Sequence, residues 1–249
     1  MEGWPIVRAY DCTVCIKTLV RPKLLKRLLA SMSGVGMPVL VADDSPDDQK
    51  QENEDVCAKR SRVEYLPLAH DVGLSAGRNA MLDHISTPLF VMLDDDFVFL
   101  RGTDLWGMVT YVQFGLFDLV GGTVLHHGQE AHYEGFIEID KRTLKLRPIS
   151  HPAQGPTACE ITYNFLAGNT DICRRVRWDD RLKLCEHQAF FLRCKEAGVR
   201  VGYIPHVAID HKPTSPSAYS PYRKTRSREF FELFKGLYGI DQLSGSLSV

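Results

Sequence analysis

Three consecutive carboxylates, Asp94-Asp95-Asp96, stand where the apolar run PLFVML (88–93) stops and just before apolar residues resume at Phe97. A short unbroken apolar run after a proline is the pattern of a fully buried strand rather than a half-exposed one. Adjacent carboxylates at the end of such a strand repel one another, so a positive group belongs among them. A hard divalent cation answers that need, because Mg²⁺ and Mn²⁺ take one or two carboxylates together with phosphate oxygens. An acidic turn after a strand is the plainer reading of the same residues. From Lys212 to Arg228, five basic residues and no acid stand among Pro, Ser and Tyr. That composition suits either a solvated loop or a lid folding over a diphosphate. Cys12 and Cys15 have CxxC spacing but lie in the strand pattern CTVCI, where positions i and i+3 face opposite sides. Core packing is the better reading of them.

Positioning these residues requires a sheet. Asp11 to Ile16 reads as a strand, and Leu24, Leu25, Leu28, Leu29 and Met32 then recur at helical spacing until Gly34 and Gly36. Pro38 to Ala42 is a second strand closing on Asp43-Asp44, Asp47 to Arg60 a polar helix, and Val63 to Leu66 a third strand. A Gly-punctuated turn from Gly73 opens a helix through His84, and the acidic strand follows. Four strand–helix alternations in about a hundred residues predict a parallel sheet covered by helices. In such sheets ligands bind beyond the carboxyl ends of the strands, which is where Lys17-Thr18, Asp43-Asp44 and Asp94-Asp95-Asp96 fall.

The second half is less regular. A strand within Leu116 to Leu125 carries the pair Gly121-Gly122, and His132 to Ile139 with Thr143 to Pro148 forms a hairpin turning at Asp140-Lys141-Arg142. Ile161 to Ala167 is a further strand, Glu186 to Ala197 an amphipathic helix stopped by Gly198, and Val199 to Ile209 extended. Phe230 to Tyr238 reads as a short closing helix and Gly239 to Val249 as a frayed tail.

At 249 residues, 44% hydrophobic and 24% charged, the chain fits one large α/β domain. A net charge of −1 gives no global electrostatic case for nucleic acid. Seven irregularly placed cysteines argue against a disulfide framework. No stretch is long and apolar enough to span a bilayer, and the N-terminus lacks a signal pattern. The expectation is a cytoplasmic protein as written, or a Golgi-lumen enzyme if this is a catalytic portion lacking its anchor.

The segments IKTLVRP (16–22), VADDS (41–45), GLSAGRN (73–79), FVMLDDDF (90–97) and EHQAFFLRCKEAGVRVGYIPHVAIDHKP (186–213), in this order and spacing, resemble GT-A-fold glycosyltransferases of the family 2 type. Among these the set is most similar to β-1,4-N-acetylgalactosaminyltransferases of the ganglioside-synthase type. The resemblance implies one Rossmann-like GT-A domain over 1–249, mostly parallel in its sheet. Residues 11–100 would form the nucleotide-binding half, 101–213 the acceptor and catalytic half, and 214–249 a C-terminal lid and tail. It implies inverting, metal-dependent transfer of a sugar, N-acetylgalactosamine or another hexose, from a UDP-sugar to a glycan or glycoconjugate hydroxyl.

By the same resemblance Thr18, Asp43 and Asp44 hold the uracil and ribose, and Asp94 and Asp95 face ribose and donor sugar. Arg21 and Arg78 bracket the nucleotide, or are ordinary surface charges. Asp96 and His211 bind Mn²⁺ or Mg²⁺. Glu186 is the base, with His187 as a substitute, and a helix-capping role is the plainer reading of Glu186. Many relatives carry Glu-Asp with the Asp as base where this chain has Glu186-His187, and ganglioside-type relatives place an acid just before the paired aromatics, where it has Ala189 ahead of Phe190-Phe191. Tyr219, Tyr222, Arg223, Arg226 and Arg228 are lid candidates. A sugar-nucleotide pyrophosphorylase would carry a Gly-rich loop after its first strand, where this chain has KTLVRP. A non-catalytic nucleotide-sugar or glycan-binding domain with a retained fold is the remaining alternative.

Overall fold

The computed structural model describes residues 11–126, 128–214, 222 and 226–244. Strands and helices alternate through the first half as β1 (Cys12–Thr18), α1 (Pro22–Ser31), β2 (Val39–Asp43), α2 (Asp47–Ala58), β3 (Val63–Pro67), α3 (Leu74–His84) and β4 (Leu89–Asp94). Pro22 starts α1, where its missing N–H costs nothing. The predicted stripe of Leu24, Leu25, Leu28 and Leu29 is buried.

There follow β5 (Phe97–Phe99), α4 (Leu105–Gln113), β6 (Leu119–His126), β7 (Gln129–Ala131), β8 (Gly135–Asp140), β9 (Thr143–Pro148) and β10 (Thr157–Cys159). The chain continues through β11 (Leu166–Asn169), α5 (Thr170–Val176), α6 (Glu186–Glu196), β12 (Val201–His211), α7 (Ser227–Tyr238) and β13 (Gln242–Ser244). The main sheet runs β10-β12-β6-β11-β4-β1-β2-β3, with β5 on β12 and β7 on β6. Its β3-β2-β1-β4 part is parallel, as is the β6/β12 pair, whereas β11 and β10 run antiparallel to their neighbours.

Alternate residues of the central strands enter different cores. Val14, Ile16, Val39 and Val41 pack with α1 and α4 on one face. Cys15, Leu40, Ala42, Phe90 and Met92 pack with α3, α6 and α7 on the other. A sheet covered on both faces explains the unbroken apolar runs in its strands. Cys12 and Cys15 sit on opposite faces, both are free, and burial pushes the Cys12 thiol up to about 12.

A smaller sheet, β13-β9-β8, grows from the hairpin, whose turn residues Lys141 and Arg142 both take positive φ. Mirror-image turns of this kind match the twist of the flanking strands. The tail is not wholly frayed, since Gln242–Ser244 pairs in parallel with Thr143–Lys145. Two helices lie outside the pattern-based reading, α4 and α5. The second is announced by Asn169, whose side chain caps it by accepting from the Ile172 N–H at 3.0 Å. No helix among the described residues is long and apolar enough to cross a membrane.

Candidate active site

The carboxyl ends of β1, β2 and β4 deliver Thr18, Asp43 and Asp94 to one edge of the sheet, and the turn into β5 carries Asp95 and Asp96. β5 pairs antiparallel with β12 so that Phe97 stands opposite His211. That register brings an imidazole from residue 211 against a carboxylate from residue 96. His211 Nε2 lies 3.2 Å from Asp96 Oδ1, an oxygen that is buried and receives no aligned hydrogen bond. Burial pushes the Asp96 carboxyl up, but His211 and Arg21 outweigh it and hold it below the ordinary range.

Arg21 is buried between two members of the triplet. Its Nε donates to Asp95 Oδ2 at 3.1 Å and its Nη1 to Asp96 Oδ2 at 3.1 Å. Thr18 Oγ1 donates to the same Asp95 oxygen at 2.6 Å. Asp95 is fully buried, and burial, opposed by Arg21, raises its carboxyl to about 7. Asp94 is partly exposed and points the other way, accepting from Arg78 Nη2 at 3.2 Å. Arg78 Nη1 also donates to Glu186 Oε1 at 2.8 Å, so one buried guanidinium on α3 joins the end of β4 to the first residue of α6. Neither arginine is a surface charge.

Asp43 and Asp44 diverge. Asp43 is fully buried and takes hydrogen bonds from the Ser45 N–H, Asn53 Nδ2 and Tyr65 OH. Asp44 pairs with Lys17 Nζ and accepts from the Gly73 N–H at 2.9 Å. Gly73 has φ +91°, and a Cβ there would meet Lys183 at 2.5 Å, so this approach requires glycine. Asp44, Lys17, Thr18, Gly73 and Tyr222 line a small pocket beside the main cleft.

The main cleft has a volume of about 660 Å³ and is lined by Arg21, Asp94, Asp96, Glu186, His187 and His211, with Tyr133, Tyr163, Asn164, Phe231 and Leu243. His187 Nδ1 lies 2.7 Å from Asn164 Oδ1, and burial lowers its imidazole to about 4, so it is neutral at physiological pH. Two non-glycine residues with positive φ flank the machinery, Val20 (50°) before Arg21 and Cys185 (59°) before Glu186. Strain held at such positions is common at active sites.

The cleft therefore gathers Arg21, Asp94, Asp96, Glu186, His187 and His211, the small pocket gathers Thr18 and Asp44, and the fully buried Asp43 and Asp95 line neither. Of the lid candidates, Tyr222 OH bonds His70 Nε2 at 3.0 Å, Arg226 pairs with Asp71 at 2.6 Å, and Arg228 lines the cleft. Tyr219 and Arg223 lie outside the described residues. Tyr133, Tyr163, Asn164 and His126, which also lines the cleft, carry no sequence signal, because nothing in their spacing separates them from ordinary loop and strand residues.

The donor set suits a divalent cation. Among the described residues, Asp94, Asp95, Asp96 and Glu186 form ion pairs with two guanidiniums, Arg21 and Arg78, and Asp96 also approaches His211, so four ionised carboxylates would outnumber the guanidiniums paired with them. Adjacent ligands of an octahedral ion at roughly 2.1 Å stand about 3.0 Å apart, close to the observed Asp96–His211 separation.

The family model described as glycosyl transferase family 2 matches residues 13–166. The chain is 32% identical over 212 residues to beta-1,4 N-acetylgalactosaminyltransferase 2 of Mus musculus, covering 82% of this chain and 40% of that protein. It is 30% identical over 212 residues to beta-1,4 N-acetylgalactosaminyltransferase 1 of the same organism, covering 80% and 38%. The chain thus spans about two fifths of the length of these relatives. Among solved structures, that of GalNAc-T7 with UDP, GalNAc and Mn²⁺ aligns over 90% of this chain and 50% of that one, with a TM-score of 0.64 at 12% identity. The fold is of the GT-A type.

Proposed function

The chain belongs to glycosyl transferase family 2, and on that premise we propose that it transfers a sugar from a UDP-sugar to a hydroxyl of a glycan or glycoconjugate, with inversion and with the help of a divalent metal. N-acetylgalactosamine is the favoured sugar, by similarity to relatives named for its transfer. The observation that carries the reading is the approach of His211 to the unbonded oxygen of Asp96 within a cleft that also holds Glu186.

In this reading the nucleoside lies over the small pocket, against Thr18 and Asp44, and Asp43 and Asp95 hold those strand ends in place from behind. Asp94 faces the donor sugar, while Arg21 and Arg78 act by fixing the carboxylates around it. Asp96 and His211 would hold Mn²⁺ or Mg²⁺, which supplies charge neutralisation for a diphosphate leaving group. Glu186 takes the acceptor proton. His187 suits that task less well, since a base near pKa 4 has little driving force at neutral pH. Its contact with Asn164, itself 3.5 Å from Asp94 Oδ2, supports a positioning role.

Calorimetric titration with UDP, with and without Mn²⁺, tests the site. Binding should need Mn²⁺ in the wild type, and Asp96→Ala and His211→Ala should each lose this Mn²⁺-dependent tight binding. UDP binding equally tight without metal would remove the metal from the proposal, and no binding of UDP would remove the donor.

A further inference from the structure

A second cluster of ligating groups lies beside the cleft and shares no residue with Asp96 and His211. His132 follows β7, Glu134 precedes β8, and His151 follows β9. Closure of the hairpin brings them together, because Gly135 pairs with Pro148 and the Ile149 N–H donates to the Glu134 carbonyl at 3.1 Å. One ligating atom from each of the three side chains lies within 4.8 Å of the others.

Two observations mark this group as incomplete. Glu134 is 1% exposed, and its Oε1 is buried with no hydrogen-bond partner. His151 Nε2 is also buried without a hydrogen bond, 3.6 Å from Glu134 Oε2. The His132 and His151 rings lie with centroids 3.8 Å apart. A buried carboxylate with an unsatisfied oxygen beside an unsatisfied imidazole nitrogen is costly to maintain unless something fills the gap between them.

We propose that His132, Glu134 and His151 form a zinc site that ties the β8–β9 hairpin to the main sheet. Two imidazoles and one carboxylate are a common protein donor set for Zn²⁺, with a fourth position left for water. Ligands of a tetrahedral ion at roughly 2.0–2.1 Å stand about 3.4 Å apart, near the 3.6 Å between His151 and Glu134. The exposed Glu130 carboxylate lies 3.9 Å from His132 Nε2. The ion would also order one wall of the cleft. Tyr133, held between two of the ligands, packs 5.3 Å from His187 and 5.2 Å from Tyr163 and accepts from Gln188 Nε2 at 3.2 Å.

The test is zinc chloride titrated into chelator-treated protein against a chromophoric competitor, with bound zinc counted per chain and melting followed in parallel. The wild type and the Asp96→Ala/His211→Ala variant should each hold one tight equivalent and melt higher with it. His132→Ala/His151→Ala should lose that equivalent. Should the double histidine variant fold poorly, Glu134→Gln decides, since it keeps the shape and should weaken zinc by roughly 100-fold. Unchanged zinc affinity in Glu134→Gln, or loss of the equivalent only with Asp96 and His211, would overturn the assignment.

Discussion

Replacing Arg78 with Met removes the cation that joins α3, β4 and α6, and the structure sets the size of the effect. Arg78 is 1% exposed and contacts Glu186 at 2.8 Å and Asp94 at 3.2 Å. At an effective dielectric near 20, each contact represents about 5 kcal/mol of gross attraction, most of which the desolvation of the three groups offsets. The net worth of the pairs is therefore small, but deleting one partner strands the others. Removing the cation from a buried pair costs about 3–5 kcal/mol. Met suits a helix interior and fills the stem's volume, so helix propensity adds little to the change. At roughly 2 °C per kcal/mol for a chain of this size, melting should fall by about 6–10 °C. The diagnostic is the cycle with Glu186→Gln. Neutralising the stranded carboxylate should recover on the order of 2 kcal/mol, giving a coupling well above the 0.3–0.5 kcal/mol or so of independent sites. Urea titrations of the four proteins, run with chelator so that no cation occupies Asp96, measure it. A cost below about 1 kcal/mol for Arg78→Met, or additivity within roughly 0.5 kcal/mol, would refute the account.

Two further outcomes follow from the same site. Glu186→Gln should lower kcat by about 10²–10⁴ while leaving the affinity for UDP within error, and retained turnover in a transfer assay would end the assignment of Glu186 as base. His187 carries a folded-state pKa near 4 against an ordinary 6.5, so between those values the unfolded chain binds the extra proton. Stability from this group is full above pH 6.5 and falls as pH drops towards 4, by at most about 1.4 kcal/mol per unit. His187→Gln should remove that part of the acid sensitivity, and identical pH–stability curves for the two proteins in this window would contradict a buried neutral imidazole.

The parallel half of the fold was legible chiefly because its inner strands β1, β2 and β4 are buried on both faces, whereas the edge strand β3 is part-exposed. Val39–Asp43 and Leu89–Asp94 are runs that cannot rest half in water, and Pro and Gly mark their limits. The later elements depend on tertiary context. β13 reads Gln-Leu-Ser, too short and polar to announce itself, and it is a strand because β9 offers it an edge. Ile161, read as the start of a strand, makes only an isolated bridge to Gly135, and β11 begins at Leu166. The antiparallel insertion of β11 between β4 and β6 leaves no local signature, since residues 166–169 pair with strands more than 40 positions away.

The site divides along the same line. Strand ends reveal which residues can reach the crevice, so Thr18, Asp44, Asp94 and Asp96 are visible in the sequence. Their partners are not. Arg78 and Glu186 are 108 positions apart, and nothing in the sequence decides between a guanidinium that bridges carboxylates and one that lies in solvent. The whole-chain charge of −1 conceals the quantity that matters here. Among the described residues, Asp94, Asp95, Asp96 and Glu186 pair with two guanidiniums at one sheet edge, a local arrangement that the whole-chain charge hides. Burial raises the Asp94 and Asp95 carboxyls while Asp96 stays low beside His211 and Arg21. Among the three aspartates Asp96 alone is held low, and it combines a buried oxygen that receives no aligned hydrogen bond with an adjacent imidazole, which is the arrangement on which the proposed cation site rests.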